Sequence, residues 1–201
     1  MEQYLKKHFR AHYDRESPVK IHRMTRDALP ALFNYLGFKK GAEIGVMDGT
    51  HSLLYCQGIP GLELFCVDSW VPFQTYRSGR IMKAPHVMDH VLNYELAQKN
   101  LAGYNVKFIK AYSMDAVKQI PEGSLDFVYI DANHYYKYVS EDLLEWSKRV
   151  RSGGVVSGHD YCLANTGDVI PAVNDYVKEH GIKRWFITDE RRTKSFFWVK
   201  P

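Results

Sequence analysis

Two carboxylates and two imidazoles stand where short apolar runs end: Asp131 and His134 after the run that closes at Ile130, His159 and Asp160 after the run that closes at Gly158. Runs of this kind read as parallel strands, and ligands bind outside the carboxyl ends of such strands. Because the two runs flank a single helical crossover, their ends should be neighbours in space. Asp131, His159 and Asp160 are therefore the expected metal ligands. An oxygen-rich set favours Mg²⁺, or Mn²⁺ once imidazole joins. The alternative is a hydrogen-bonded polar cluster that caps the sheet without a cation. His134 lies just beyond Asp131, and an imidazole with a pKa near about 6.5 suits proton removal at neutral pH. Asp131 and His134 are the expected catalytic pair.

A second constellation surrounds Glu43-Ile44-Gly45-Val46-Met47-Asp48-Gly49. It reads as a strand end, a tight glycine turn and a helix start, with Gly45 and Gly49 allowing sharp turns and close approach of a ligand. About 20 residues past the turn, Leu64-Phe65-Cys66-Val67 ends in Asp68, which is placed to bond ribose hydroxyls. Ser69 follows it, and Ser113 and Met114, beyond a further strand, could frame a base ring. The expected nucleoside-cofactor pocket thus comprises Glu43, Gly45, Gly49, Asp68, Ser69, Ser113 and Met114, with Asp131 on the shared edge. His51 reads as opening the helix rather than meeting the cofactor.

The elements that must position these groups alternate. Strands are expected near 42–46, 63–67, 106–110, 125–131 and 155–158, with helices near 50–57, 87–102, 114–120, 138–150 and 170–180. The fourth run, nearly continuous in apolar residues, suits a central strand covered on both faces. Two β-rich runs, 183–188 and 195–199, flank a charged turn and read as a closing antiparallel hairpin. The fold expected is an α/β, Rossmann-like three-layer sandwich: a mostly parallel seven-stranded sheet with a C-terminal antiparallel hairpin. Residues 1–37 form an expected helical arm, with Leu5, Phe9 and Tyr13 at helical spacing and Thr25 capping a second helix. Residues 38–201 form the catalytic domain. Residues 70–85, carrying Trp70, Phe73 and Tyr76, read as a loop over the pocket.

A chain of 201 residues holds one well-buried core. The formal charge of +4 permits an anionic substrate without demanding nucleic acid. The basic residues at both ends read as solvated faces. Three scattered cysteines match neither a disulfide framework nor a metal pattern, and no apolar run approaches the roughly 18 residues of a membrane span. Nor does a signal peptide appear, so a soluble cytoplasmic protein is expected, with a homodimer through the arm as a reasonable partner arrangement.

Element order and the motif Glu43-x-Gly45-x-x-x-Gly49 resemble class I S-adenosylmethionine (SAM)-dependent methyltransferases over roughly residues 38–200. The closing hairpin fits that fold, in which the seventh strand inserts antiparallel. Ile130-Asp131-Ala132-Asn133-His134-Tyr135-Tyr136, Gly153-Gly154 and Gly158-His159-Asp160-Tyr161 resemble the small-molecule branch containing macrocin-type sugar O-methyltransferases. The resemblance implies SAM as cofactor, a divalent metal, a small hydroxylated acceptor and O-methylation. It implies that Asp131 binds metal, that His134 is the base, and that Glu43 and Asp68 orient cofactor through amine-side and ribose contacts. The branch's acidic pair after the fifth strand is His159-Asp160 here, its first position changed to histidine. Rival readings are a SAM-binding protein without catalysis, a partner-dependent subunit, and a nicotinamide-dependent oxidoreductase. The last lacks the third glycine of its fingerprint here.

Overall fold

Apolar residues along the central strands bury on both sides, and that decides the layering. In β8 (Leu125–Ile130), Phe127 and Tyr129 enter one core while Leu125, Val128 and Ile130 enter the other. β4 (Glu63–Asp68) repeats the pattern, with Leu64 and Cys66 on the first side and Phe65 and Val67 on the second. A strand with no polar face needs helices over both faces. The first face is covered by α1 (Glu2–His8), α2 (Leu29–Tyr35), α3 (Thr50–Gly58) and α4 (His90–Asn100) through Leu5, Phe33, Tyr55 and Ala97. The second is covered by α5 (Ser113–Ala116), α6 (Tyr136–Arg149) and α7 (Val169–Glu179) through Ala116, Leu143, Trp146 and Val173.

The computed structural model describes residues 1–11, 13, 15–71, 75–77, 80–82, 90–162 and 168–201, with the backbone alone at 10, 11, 75–77 and 80–82. The remaining sheet strands are β1 (Arg10–Ala11), β2 (Val19–His22), β3 (Lys40–Ile44), β7 (Val106–Lys110), β9 (Val150–Gly158), β10 (Phe186–Ile187) and β11 (Phe196–Val199). Their order across the sheet is β1-β2-β10-β11-β9-β8-β3-β4-β7. β7, β4, β3, β8 and β9 run parallel, and β11 inserts antiparallel between β9 and β10. The seven strands from β10 to β7 are the expected mostly parallel sheet with its closing hairpin. β5 (Thr75–Arg77) and β6 (Arg80–Met82) form a separate antiparallel pair in the segment expected as a loop. Phe73 and the side chain of Tyr76, expected over the pocket, lie outside the described residues.

The arm departs from its helical reading. α1 stops at His8, and Phe9 is already extended at φ −135°. Farther on, β2 joins the sheet edge parallel to β10, pairing Val19 with Phe186 and Lys20 with Ile187. Val19 and Ile21 are buried while Lys20 is exposed, a period-two pattern present in the sequence. Pairing with an open sheet edge outweighs the helical spacing of Phe9 and Tyr13. The arm therefore extends the sheet of its own chain to nine strands.

Candidate functional site

Parallel register brings the strand ends to one edge. Ile44 pairs with Val67 and Ile130, Ile130 with Gly158, and Asp68 with Lys110. The ladder continues one residue past the strands, from Asp131 N–H to the Ile44 carbonyl at 2.7 Å and from His159 N–H to the Ile130 carbonyl at 3.0 Å. The residues expected to meet, Asp68, Asp131, His134, His159 and Asp160, thus leave one rim of the sheet. Gly45 is needed here for a reason other than ligand approach. Its φ is +92°, and a Cβ would sit 2.0 Å from the Asp131 carbonyl oxygen. At Gly49, with φ +77°, a Cβ would lie 3.1 Å from Cα of Ala97 in α4. Both glycines answer to the protein's own packing.

Above this rim lies a cavity of about 660 Å³, within the range of small-molecule sites. Ile44, Gly45, Val67, Asp68 and Ser69 form part of its wall, Ser113, Met114 and Asp142 another part, and Asp131 and His134 the end that faces the charged cluster. Asp68 is fixed by the backbone. Its Oδ2 accepts from the N–H of Val46 and of Met47, both at 3.0 Å, and its Oδ1 from the N–H of Trp70 at 2.8 Å. Those bonds hold Met47 and Trp70 at φ of 54° and 43°, and Asp160 across the rim has φ 56°. Left-handed, non-glycine backbone of this kind persists where surrounding bonds enforce it. Trp70, expected on a loop over the pocket, is part of the cavity wall and only 2% exposed, donating from Nε1 to the Met47 carbonyl and packing on Tyr94. Tyr136 is turned towards α7, its hydroxyl donating to Asp175 at 2.8 Å.

Two expected cofactor residues are engaged by the protein itself. Glu43 is buried behind the turn, 2.7 Å from His51 Nδ1 and bonded by the Ser52 hydroxyl, and neither it nor Gly49 is part of the cavity wall. Ser113 donates to Asp142 and accepts from Trp146 Nε1 at 2.7 Å, so its side chain braces α6 against the cavity. Burial pushes the Asp142 carboxyl up to about 7, against the opposing bond from Ser113.

At the far end of the cavity the charges converge. His134 Nε2 lies 2.9 Å from Asp160 Oδ2 and 3.6 Å from Asp131 Oδ1. His159 Nδ1 lies 3.5 Å from Asp131 Oδ2 and 3.4 Å from Asp160 Oδ2. Burial alone would raise both carboxyl pKa values, but the bonds from His134 and His159 outweigh it and hold both below the ordinary range. Reciprocally, Asp131 and Asp160 lift His134 to about 10; at His159 they overcome the cost of burial and lift it to about 9. Without a cation, then, both imidazoles are protonated at neutral pH, and His134 is not yet a base. Ligand atoms of Asp131, His134 and Asp160 all lie within 4.8 Å of one another, a donor set that fits Mg²⁺ or Mn²⁺. Both imidazoles reach the same two carboxylates, which blurs the sequence's division into His159 as ligand and His134 as base.

Sequence reasoning missed Arg26. Its Nη1 lies 3.4 Å from Asp131 Oδ2, on the opposite carboxylate oxygen from His134. Burial acts to lower the Arg26 pKa, but Tyr129 and Asp131 beside it raise it overall. The arm delivers it: Asp189 N–H donates to the Met24 carbonyl at 2.8 Å, and Arg26 N–H donates to Glu190. No local motif marks such a residue, because only the β2–β10 pairing brings residue 26 to the rim.

This sheet order, five parallel strands with β11 reversed between β9 and β10, is the fold of SAM-dependent O-methyltransferases. An O-methyltransferase from Bacillus cereus in complex with SAH matches it with a TM-score of 0.62 at 15% identity, covering 87% of this chain and 80% of that one. The O-methyltransferase TomG from Streptomyces achromogenes, involved in tomaymycin synthesis and in complex with SAM, gives 0.61 at 16% identity, covering 88% and 79%. At such identities the likeness is one of fold. The sequence pattern of a family described as a methyltransferase domain matches residues 42–161, and the chain belongs to that family. "Uncharacterized protein R132" of Acanthamoeba polyphaga mimivirus is 35% identical over 86 residues, which are 40% of this chain but only 38% of that protein. No helix among the described residues is long and apolar enough to cross a membrane.

Proposed function

We propose that this chain transfers a methyl group from SAM to the hydroxyl of a small acceptor, with a divalent cation at Asp131 and Asp160. One observation carries the reading: Asp131 and His134 belong both to the cavity wall and to the charged cluster. A cofactor's reactive end and an acceptor's hydroxyl can therefore meet there. The motifs around Asp131 and His159 favour the macrocin-type branch within the family.

SAM supplies an electrophilic methyl on a sulfonium, transferred by in-line displacement. The protein's work is then to position the acceptor oxygen and receive its proton. On Asp68, Oδ2 is filled by two backbone donors, so Oδ1, with one, is the oxygen left for a ribose hydroxyl. Ile44, Val67 and Met114 give the cavity apolar walls that exclude water from the transfer. A cation on Asp131 and Asp160, with His134 or His159 beside them, would lower the hydroxyl's pKa and take up the negative charge that keeps the imidazoles protonated. His134, at the cavity end of the cluster, is then the group placed to receive the acceptor's proton.

The test is calorimetry with SAM and, separately, with Mn²⁺ in buffers of different ionisation enthalpy. Wild type should bind SAM with or without metal, and should release protons as Mn²⁺ binds. Asp131→Ala should lose the metal heat and keep SAM binding within about tenfold, a change of roughly 1.4 kcal/mol. Absence of SAM binding would sink the proposal. Mn²⁺ binding that releases no protons would remove the link between cation and imidazole.

A further inference from the structure

Resting on that reading, we infer that Arg26 binds an oxyanion of the acceptor, so the substrate is a hydroxylated carboxylate or phosphate rather than a neutral molecule. Arg26 touches Asp131 from outside the cavity wall, whereas His134 touches its other oxygen from within that wall. A ligand whose hydroxyl reaches His134 and whose body extends past Asp131 would bring its further atoms to the guanidinium. That group keeps its charge at any working pH and offers a planar fork of donors suited to carboxylate or phosphate. Among the described residues its ion pair is the long 3.4 Å contact to Asp131, a further hydrogen bond goes to Tyr129, and its side chain is 37% exposed, so of its five N–H donors some remain for a ligand.

The surroundings favour an anion as well. Two acids in the turn beside the arm, Asp189 and Glu190, are engaged by the arm itself. Asp189 pairs with Lys20 and takes the Arg23 N–H at 3.1 Å. Glu190 takes the backbone N–H of Arg26 on Oε1 rather than its guanidinium, and its Oε2 is buried with no hydrogen bond among the described residues. Lys194 is brought to the same rim, its carbonyl accepting the Tyr161 N–H at 2.9 Å. Arg191 and Arg192 lie in the same turn, and neither of these arginines nor Lys194 has an ion pair among the described residues. Of the basic residues near the chain ends, Arg26, Arg191, Arg192 and Lys194 follow β2 and β10 on the side of the rim, with Arg191 and Arg192 exposed, whereas Lys183 and Arg184 precede β10 at the opposite edge.

Salicylate and salicylamide test this, since both carry the hydroxyl and only the first carries charge. Binding to SAM-loaded protein should favour salicylate by at least about tenfold in wild type, the lower end of what a charge-assisted hydrogen bond contributes. In Arg26→Gln that ratio should fall to near one, and in Arg26→Lys it should be intermediate, with SAM affinity unchanged in both. A residue that merely steadied Asp131 would weaken both ligands alike and leave the ratio intact, which would overturn the inference. Failure of salicylate to bind would overturn it too, unless inorganic phosphate binds wild type and not Arg26→Gln; that result would support it and name phosphate as the oxyanion. SAM binding is read first and separately, so loss of the methyltransferase reading is distinguishable from loss of this one.

Discussion

Asp68 and Asp131 end parallel strands on the same rim, yet they are held by opposite means. Three backbone N–H groups hold Asp68. Asp131 is surrounded by the side chains of His134, His159 and Arg26. Backbone donors come with the turn itself, so an acid held by them is fixed once the turn has folded. Side-chain donors carry charge and can be exchanged for a cation or a ligand. The proposed cofactor end is thus built into the fold, while the proposed acceptor end is an adjustable set of charges.

Removing Asp68 should break the comparison on its rigid side and produce the largest effect. Asp68→Ala strands the N–H groups of Val46 and Trp70 in buried surroundings and releases the left-handed backbone at Met47 and Trp70. A cost of about 3 kcal/mol is expected, read as a lower denaturation midpoint at unchanged m-value. SAM affinity should fall with it. A loss below about 0.5 kcal/mol, the level of an ordinary surface change, would mean the turn holds without its acid.

On the adjustable side a smaller change in stability and a large change in titration are expected. In Asp131→Asn the His134 and His159 pKa values should drop from about 10 and about 9 towards the ordinary imidazole value, followed by NMR of the ring protons. The sign for stability follows from the same shifts. A histidine whose pKa is raised on folding contributes fully below about pH 6.5 and loses that contribution as pH rises through its folded value. Wild type should therefore lose stability from near neutrality towards pH 10, and Asp131→Asn should lose less. Imidazole titrations that ignored the substitution would show that Asp160 alone holds the charge.

The same division explains what could be read from sequence. The turn, the strand-end acids and the closing hairpin follow from local periodicity and spacing, since each is made by contiguous residues. Even so, Gly45 is required by the Asp131 carbonyl, a neighbour far along the chain, rather than by a ligand. Glu43, legible as a strand-end acid, is drawn behind the turn by His51 and Ser52, and only the packing of α3 decides that. The protonated state of His134 depends on Asp131 and on the distant Asp160 together, and Arg26 depends on a strand pairing across the sheet edge. Val19 to His22 carries a strand's alternation, but four residues are too few to outweigh the helical spacing of Leu5, Phe9 and Tyr13 before it. Long-range contacts between charged side chains leave no periodic trace, which is why the charge state of the site was the least legible part of it.

Asp142 sharpens the comparison from a third direction, with the smallest expected effect. It is an acid on the proposed cofactor side whose hydrogen bond among the described residues comes from the Ser113 hydroxyl, and it is 3% exposed. If backbone or charge is what allows an acid to stay ionised here, this one should resist ionisation, as its displacement to about 7 implies. An acid whose pKa is raised on folding loses stability as pH climbs from its unfolded value to its folded one, and the loss is complete above that. Asp142→Asn keeps an oxygen for Ser113 while removing the charge. It should stabilise the protein by about 1 kcal/mol at pH 8 and change little at pH 4, as measured by thermal or urea unfolding at both. Destabilisation at pH 8 would mean that the ionised carboxylate is held by something other than Ser113. In that case the cofactor end would contain a charge-held acid of its own, and the two ends of the site would differ less than Asp68 and Asp131 suggest.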